Sequence, residues 1–200
     1  MYRLYEFSPS GNCYKVRLLL KQLQIPFDRV EIDITKGQAG TPEFLKMNPN
    51  GRTPVLELKK GQYLSESNAI LYYLAEGTPF LPADKLERAQ VLQWMFFEQY
   101  DHEPNIATSR YWIAILGQSE VHREELGEKK EAGHEALAIM DVHLSLHNYF
   151  VGDRYSIADI ALYAYTHVAH EGGFDLSGYP AVQAWLNRVA TQPRHIKITD

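Results

Sequence analysis

The chain reads as an α/β unit followed by an all-α unit. Over the first 75–80 residues or so, the size of a small domain, short apolar runs alternate with stretches of helical period in the order strand–helix–strand–helix–strand–strand–helix (βαβαββα). The stretch Thr78 to Asp84, TPFLPAD, holds two prolines and no periodicity. From Lys85 onward no strand pattern recurs. The expected division is therefore residues 1–77, a linker over 78–84, and a helical domain over 85–200.

The first strand is the apolar run Tyr2, Leu4, Tyr5, Phe7, and a polar segment Ser8-Pro9-Ser10-Gly11-Asn12-Cys13 follows it. Val16, Leu19, Leu20 and Leu23 then fall at i, i+3, i+4, i+7, one face of a helix. A helix start presents N–H groups and a partial positive charge, and both favour an anion. Ser10 is the hydroxyl nearest that start, and two readings stand side by side. Ser10 or Asn12 caps the helix, or the hydroxyl meets a bound thiolate or phosphate.

Pro26 ends this helix, and a second strand runs from Asp28 to Ile32. After the polar loop at 36–40, Thr41-Pro42-Glu43 is a helix start with Thr41 as cap and proline in the first turn. That helix is short and stops at Asn48-Pro49-Asn50-Gly51. The third strand, Arg52 to Leu58, carries Pro54 at its entrance, where a cis peptide would turn the chain and present the Thr53 backbone to a ligand. Lys60-Gly61 turns into a fourth strand at Tyr63-Leu64. Glu66-Ser67-Asn68 opens a helix bearing Ile70, Leu71, Tyr73 and Leu74, and Gly77 closes it.

In the second half a helical run extends from about Leu86 through Leu116, with Pro104 marking a kink. A Glu-, Lys-, Ala- and Leu-rich helix covers roughly Glu120 to Phe150. Tyr155 to Ile160 forms a capping box: Ser156 caps, Asp159 reaches back, and Tyr155 is placed to staple onto Ile160. The last helix spans Pro180 to about Thr191 with Trp185 inward.

With 45% hydrophobic and 22% charged residues the composition is that of an ordinary globular protein. A net charge of −5 argues against non-specific nucleic-acid binding, which needs a basic patch. The histidines are scattered, and His143 and His147 at i, i+4 lack a third ligand, so no metal site is expected. A single cysteine, Cys13, excludes an intramolecular disulfide and points to a reducing, cytoplasmic compartment. Met1 leads straight into the first strand, so no signal peptide is expected. No apolar run approaches the roughly 18 residues that span a bilayer.

Four pieces occur together in order: Ser10 to Arg17, Asn48 to Leu56, Glu66-Ser67, and Ser156 to Asp159. On these the chain resembles the cytosolic glutathione transferase family over nearly its whole length. The resemblance implies a thioredoxin-like first domain that binds glutathione and an all-helical second domain that lines the acceptor pocket. It implies a homodimeric detoxification enzyme with glutathione as co-substrate and no permanently bound cofactor. Ser10 falls where serine-using members keep the hydroxyl that holds the glutathione sulfur as thiolate, and Asn12 where one bacterial group has a second polar contact to that sulfur. Thr53, before the family's cis-proline at Pro54, would pair through its backbone with the cysteinyl part. Glu66 would meet the γ-glutamyl amine, Ser67 and its helix start the carboxylate, and Arg52 the glycyl carboxylate.

This sequence departs from the family pattern at two places. The residue before Pro54 is usually Val or Ile and here is Thr53. Cys13 stands three residues after Ser10, as in C-x-x-C with the first cysteine replaced, which sets a redox role for Cys13 against an inert, packed one. On the acceptor side Asn105, Ser109 and Trp112 share a face at i, i+4, i+7, and for Trp112 pocket and core are both open. The implied dimer seam takes in Leu64, the face of Ile70 and Tyr73, and residues 88–97. Three functions remain in view: conjugation of glutathione to a small hydrophobic electrophile, glutathione-dependent disulfide or peroxide reduction, and a non-catalytic glutathione-binding or protein-interaction module.

Overall fold

The computed structural model describes residues 1–200, which divide into two units, residues 1–76 with 193–200 and residues 77–192. In the first unit, β1 (Tyr2–Glu6), β2 (Phe27–Glu31), β3 (Val55–Lys59) and β4 (Gln62–Ser65) form one sheet in the order β2-β1-β3-β4. β1 runs parallel to β2 and antiparallel to β3, and β3–β4 is a hairpin. Parallel neighbours need a crossover, which α1 (Gly11–Gln22) supplies. α3 (Ser67–Ala75) packs on α1. The single turn α2 (Pro42–Leu45) is capped by Thr41, whose Oγ1 accepts from the Phe44 N–H. Phe44, Ala39 and Val55 form a small core with Tyr5, Ile32 and Met47 packed against it. This is the thioredoxin-like arrangement. The sheet ladder of β3 begins at Val55, so Arg52–Pro54 lies outside it.

α1 departs from a one-sided amphipathic helix: every residue from Cys13 to Leu20 is buried, Lys15 and Arg17 included. α3 covers part of it, and the chain's last residues cross it as well. Tyr14 Oη donates to the Ile196 carbonyl at 2.7 Å, Arg17 Nη2 to that of Ile198 at 2.6 Å, and Arg29 Nη1 to that of Asp200 at 2.8 Å. Residues 193–200 therefore belong with the α/β unit, and the helical unit ends at Gln192 instead of running to residue 200. Glu6, at the end of β1 and wholly buried, receives the guanidinium groups of both Arg17 and Arg29.

The second unit holds α4 (Lys85–Phe97), α5 (Glu103–Arg110), α6 (Arg123–Leu144), α7 (Ile157–Thr166) and α8 (Pro180–Ala190). α4 and α5 form the expected continuous run, joined by a π turn at Glu98–His102, and a second π turn follows α5 at Tyr111–Ile115. The first lies just before Pro104, where the missing N–H and the ring cannot fit an unbroken α-helix, and the wider turn absorbs both. α6 stops at Leu144, short of Phe150, because the following backbone is recruited elsewhere. The Asn148 N–H goes to Asp153 Oδ1 at 2.9 Å and the Phe150 N–H to Asp159 Oδ1 at 3.3 Å. Gly133 in α6 has to be glycine, since a Cβ there would lie 2.4 Å from Cε1 of Phe174. No helix is long and apolar enough to cross a membrane.

The capping box forms as the sequence indicates. Asp159 Oδ2 accepts from the Ser156 N–H at 2.9 Å and its hydroxyl at 3.1 Å, while Oδ1 also accepts from Trp185 Nε1 at 2.9 Å. The Tyr155 ring meets Phe80 and Tyr149 edge-on. Residues 78–84 do not stand apart as a linker. The Phe80 carbonyl accepts from the Ile157 N–H at 3.0 Å and Leu81 is buried, so this segment is part of the helical unit.

Arg17→Met leaves the buried Glu6 carboxylate with Arg29 alone and is expected to cost about 3 kcal/mol in urea unfolding. Asp159→Asn replaces one acceptor oxygen with a donor inside a ring of donors and should cost a similar amount, about 3 kcal/mol. Burial pushes the Asp159 carboxyl up to about 6, above its unfolded value. Its share of stability is then complete below about pH 3.9 and lost as pH rises through the folded value. The stability gap between wild type and Asp159→Asn should accordingly narrow between about pH 4 and pH 6 and stay level above that.

Candidate functional site

Ser10 is the N-cap of α1, with φ −72° and ψ 129°, and its Oγ accepts from the Cys13 N–H at 3.4 Å. A hydroxyl both accepts and donates. The cap contact uses a lone pair, and the same hydroxyl is hydrogen-bonded to the Cys13 thiol; a hydroxyl rotates, so capping and anion contact are compatible in one side chain once its proton turns from Cys13 to a ligand. Two residues on, Asn12 Oδ1 accepts from Lys15 Nζ at 2.8 Å and from Ser67 Oγ at 3.1 Å. Lys15 Nζ also donates to Ser67 Oγ at 3.3 Å and Asn68 Oδ1 at 3.4 Å.

Ser67 is the first residue of α3, so the starts of α1 and α3 meet through this cluster. Each start carries roughly half a positive charge, and the Lys15 ammonium adds a whole one. Positive potential of this kind favours an anion. Glu66, just before Ser67, is exposed and sits at φ +69°. A non-glycine residue at positive φ is strained by about 1–3 kcal/mol, and such residues concentrate at ligand clamps. Its carboxylate sets a negative charge at the rim, suited to a cation.

The Thr53–Pro54 peptide is cis, as anticipated from the sequence. Asn48 Nδ2 donates to the Arg52 carbonyl at 2.7 Å and pins the turn, while the Arg52 side chain is exposed. The hydroxyl of Thr53 is hydrogen-bonded to the Cys13 thiol. The two departures noted in the sequence are thus partners of each other. Cys13 Sγ also accepts from the Phe7 N–H at 3.4 Å, and the residue has no exposed surface. Burial pushes its thiol up to about 11. A reactive cysteine needs exposure and a lowered pKa, so of the two readings of Cys13 burial favours the inert, packed one.

The three residues named for the acceptor side all lie in the helical unit. Ser109 is fully buried and donates to the Asn105 carbonyl at 2.8 Å, so it offers no lining surface, against expectation. Asn105 is half-buried, its Nδ2 donating to the Asp101 carbonyl at 2.6 Å. Trp112 is half-buried and stacks on His122, with centroids 4.0 Å apart. Ile70, assigned to the dimer seam, is wholly buried within its own chain, whereas Tyr73 is exposed.

Lys15 and Asn68 escaped the sequence reading. The available signal is a lysine set between Tyr14 and Val16 on an otherwise apolar helix, three residues after Asn12. A separate groove of about 480 Å³, lined by Arg3, Tyr5, Glu57, Lys59 and Tyr63 among others, shares no residue with this cluster. There the charges are already engaged, Glu57 Oε2 with Arg3 at 3.8 Å and with the Tyr5 hydroxyl at 3.2 Å.

Residues 1–76 match the family model "Glutathione S-transferase, N-terminal domain" and residues 96–193 match "Glutathione S-transferase, C-terminal domain". The structure is similar to a crystal structure of glutathione S-transferase from Pseudomonas fluorescens Pf-5, at 53% identity and TM-score 0.98, covering 100% of this chain and 99% of that one. It is also similar to a glutathione transferase from Pseudomonas putida crystallised with glutathione disulfide, at 25% identity and TM-score 0.84, over 96% and 88% of the two chains. Among curated proteins, "Disulfide-bond oxidoreductase YfcG" of Escherichia coli K12 is 32% identical over 94% of this chain and 89% of its own length.

A chromogenic disulfide reagent added to the native protein should leave Cys13 unmodified until denaturant is added, whereupon one thiol per chain reacts. Rapid reaction of the native thiol would restore the redox reading.

Proposed function

The chain belongs to the glutathione S-transferase family, and on that premise we propose that it binds glutathione at the joined starts of α1 and α3 and attacks small hydrophobic electrophiles with its thiolate. The observation that carries the reading is the Ser10–Asn12–Lys15–Ser67 cluster with strained Glu66 at its edge. Glutathione is a zwitterionic tripeptide, with an ammonium and a carboxylate on its γ-glutamyl end. In this reading Glu66 takes the ammonium, and the Ser67 N–H with the start of α3 takes the carboxylate. The Thr53 backbone pairs with the cysteinyl residue as a short strand. Arg52 meets the glycyl carboxylate.

The sulfur then lies at the start of α1, with Ser10 donating to it. A donor and a helix dipole both favour S⁻ over SH and lower the thiol pKa. The thiolate attacks the electrophilic carbon, the carbon–leaving-group bond breaks, and the leaving group departs with the electron pair. The thiol proton is lost to solvent when glutathione ionises. The protein needs no cysteine in this sequence of steps, in keeping with the burial of Cys13. Asn105 and Trp112 are our candidates for contact with the electrophile. A homodimer is part of the proposal: Tyr73 on α3, and Leu86, Phe96 and Tyr100 in the helical unit, are large exposed apolar side chains that a second copy would cover. Light scattering should return a mass near two chains.

One observation favours a second reading, glutathione-dependent disulfide reduction: the similarity to the E. coli disulfide-bond oxidoreductase. There the same thiolate attacks a disulfide sulfur, forms a mixed disulfide and expels the partner thiolate.

Ser10→Ala is expected to lower kcat/KM with a chlorinated dinitroaromatic on the order of 10²-fold, the usual cost of one donor to a developing or resident anion. Glutathione binding by calorimetry should stay within about threefold, since the peptide is held elsewhere. Undiminished turnover removes Ser10 from the mechanism. Comparing turnover of a small disulfide with that of the aromatic separates conjugation from reduction.

A further inference from the structure

The Lys15 charge favours an anion at the joined helix starts, yet its own acceptors there, on Asn12, Ser67 and Asn68, are all neutral side-chain oxygens. The side chain is wholly buried, and an ammonium out of water is costly unless acceptors surround it. An ammonium donates and never accepts. The Asn12 atom 2.8 Å from Nζ must therefore be the carbonyl oxygen. The same oxygen takes the Ser67 hydroxyl proton at 3.1 Å, because Ser67 Oγ is itself an acceptor for Lys15 at 3.3 Å. Two donors on one oxygen prevent the amide from turning over, since a flip would set an NH₂ against an ammonium and a hydroxyl proton. The NH₂ limb of Asn12 is thereby fixed on the other side of the amide, away from Lys15.

We propose that Lys15 is a positioning residue for glutathione ionisation: it locks the Asn12 amide so that the NH₂ group, a donor, is the part presented to the sulfur. The assignment rests on the glutathione reading above. Lys15 acts through Asn12, two residues from the Ser10 cap, so the sulfur is served by two donors, a hydroxyl and an amide. The Ser67 hydroxyl proton is committed to Asn12, which leaves the Ser67 N–H as that residue's donor to a ligand carboxylate.

The test is a double-mutant cycle between Lys15→Met and Asn12→Ala, read as the pKa of enzyme-bound glutathione from the ultraviolet absorbance of its thiolate. Each single change should raise that pKa by about one unit, the worth of one hydrogen bond to a charged acceptor. The pair together should raise it no more than Asn12→Ala alone. Below the wild-type pKa, kcat/KM of Lys15→Met should fall about tenfold and recover towards the wild-type value at higher pH. Additive effects in the cycle, or a thiol pKa that Lys15→Met leaves in place, overturn the assignment while leaving the glutathione reading intact. Failure of the wild type to bind glutathione overturns both. A second measurement needs no change at Lys15: in ¹⁵N-labelled wild type with glutathione bound, the Asn12 side-chain NH₂ resonances, identified by their loss in Asn12→Ala, should shift with titration of the sulfur. Resonances that ignore that titration overturn the proposal even if Lys15→Met does not fold.

Discussion

The α/β unit is organised around a buried carboxylate. Glu6 ends the central strand β1 with no exposed surface and is met by Arg17 from α1 and Arg29 from β2. Arg17 Nη2 donates to the Ser8 and Ile198 carbonyls, its buried Nε is left without a partner, and Arg29 reaches the Asp200 carbonyl. One anion thus ties two strands, the crossover helix, the loop before Ser10 and the end of the chain into one arrangement. Each ion here costs several kcal/mol to remove from water and is tolerated only with its partners in place. The network is therefore intolerant of slippage, and the loop that carries Ser10 inherits that rigidity.

The same principle recurs at the other end of α1. Lys15 is as buried as Arg17, but its acceptors are neutral side-chain oxygens that join α1 to α3. A helix whose apolar residues alone suggest a single buried face carries two buried cations, one on structural duty beneath the loop and one beside the candidate ligand site. Charges so placed orient their acceptors, and an oriented acceptor fixes which end of an amide or hydroxyl is left to face a ligand.

The candidate site was partly legible in sequence. Ser10 was readable because a cap residue and an anion contact ask for the same thing, a short side chain with a hydroxyl at a helix start. Pro54 at a strand entrance was readable because proline has no ladder N–H to give. Glu66-Ser67 was readable as a helix start, although the positive φ at Glu66 was not, since nothing about glutamate advertises it. Cys13 was open between a redox and an inert role in sequence, and its burial depends on partners the spacing to Ser10 does not show, Phe7 close by in the chain and Thr53 far from it. Ser109 misled, its helical spacing being right and its burial unknown.

Periodicity, turn chemistry and caps are local, acting within a turn or two of the chain. They were enough to lay down the order of strands and helices, the division into a sheet-bearing and a helical part, and the capping box at Ser156. Which face of α1 meets what, where α6 gives way to Asp159's demand for donors, and where residues 193–200 dock are all settled by partners far apart in the chain. No local pattern carries that information. Burial decides that the Cys13 thiol stays protonated and hydrogen-bonding decides how Lys15 and Asn12 are oriented, and both exist only once the tertiary fold is complete.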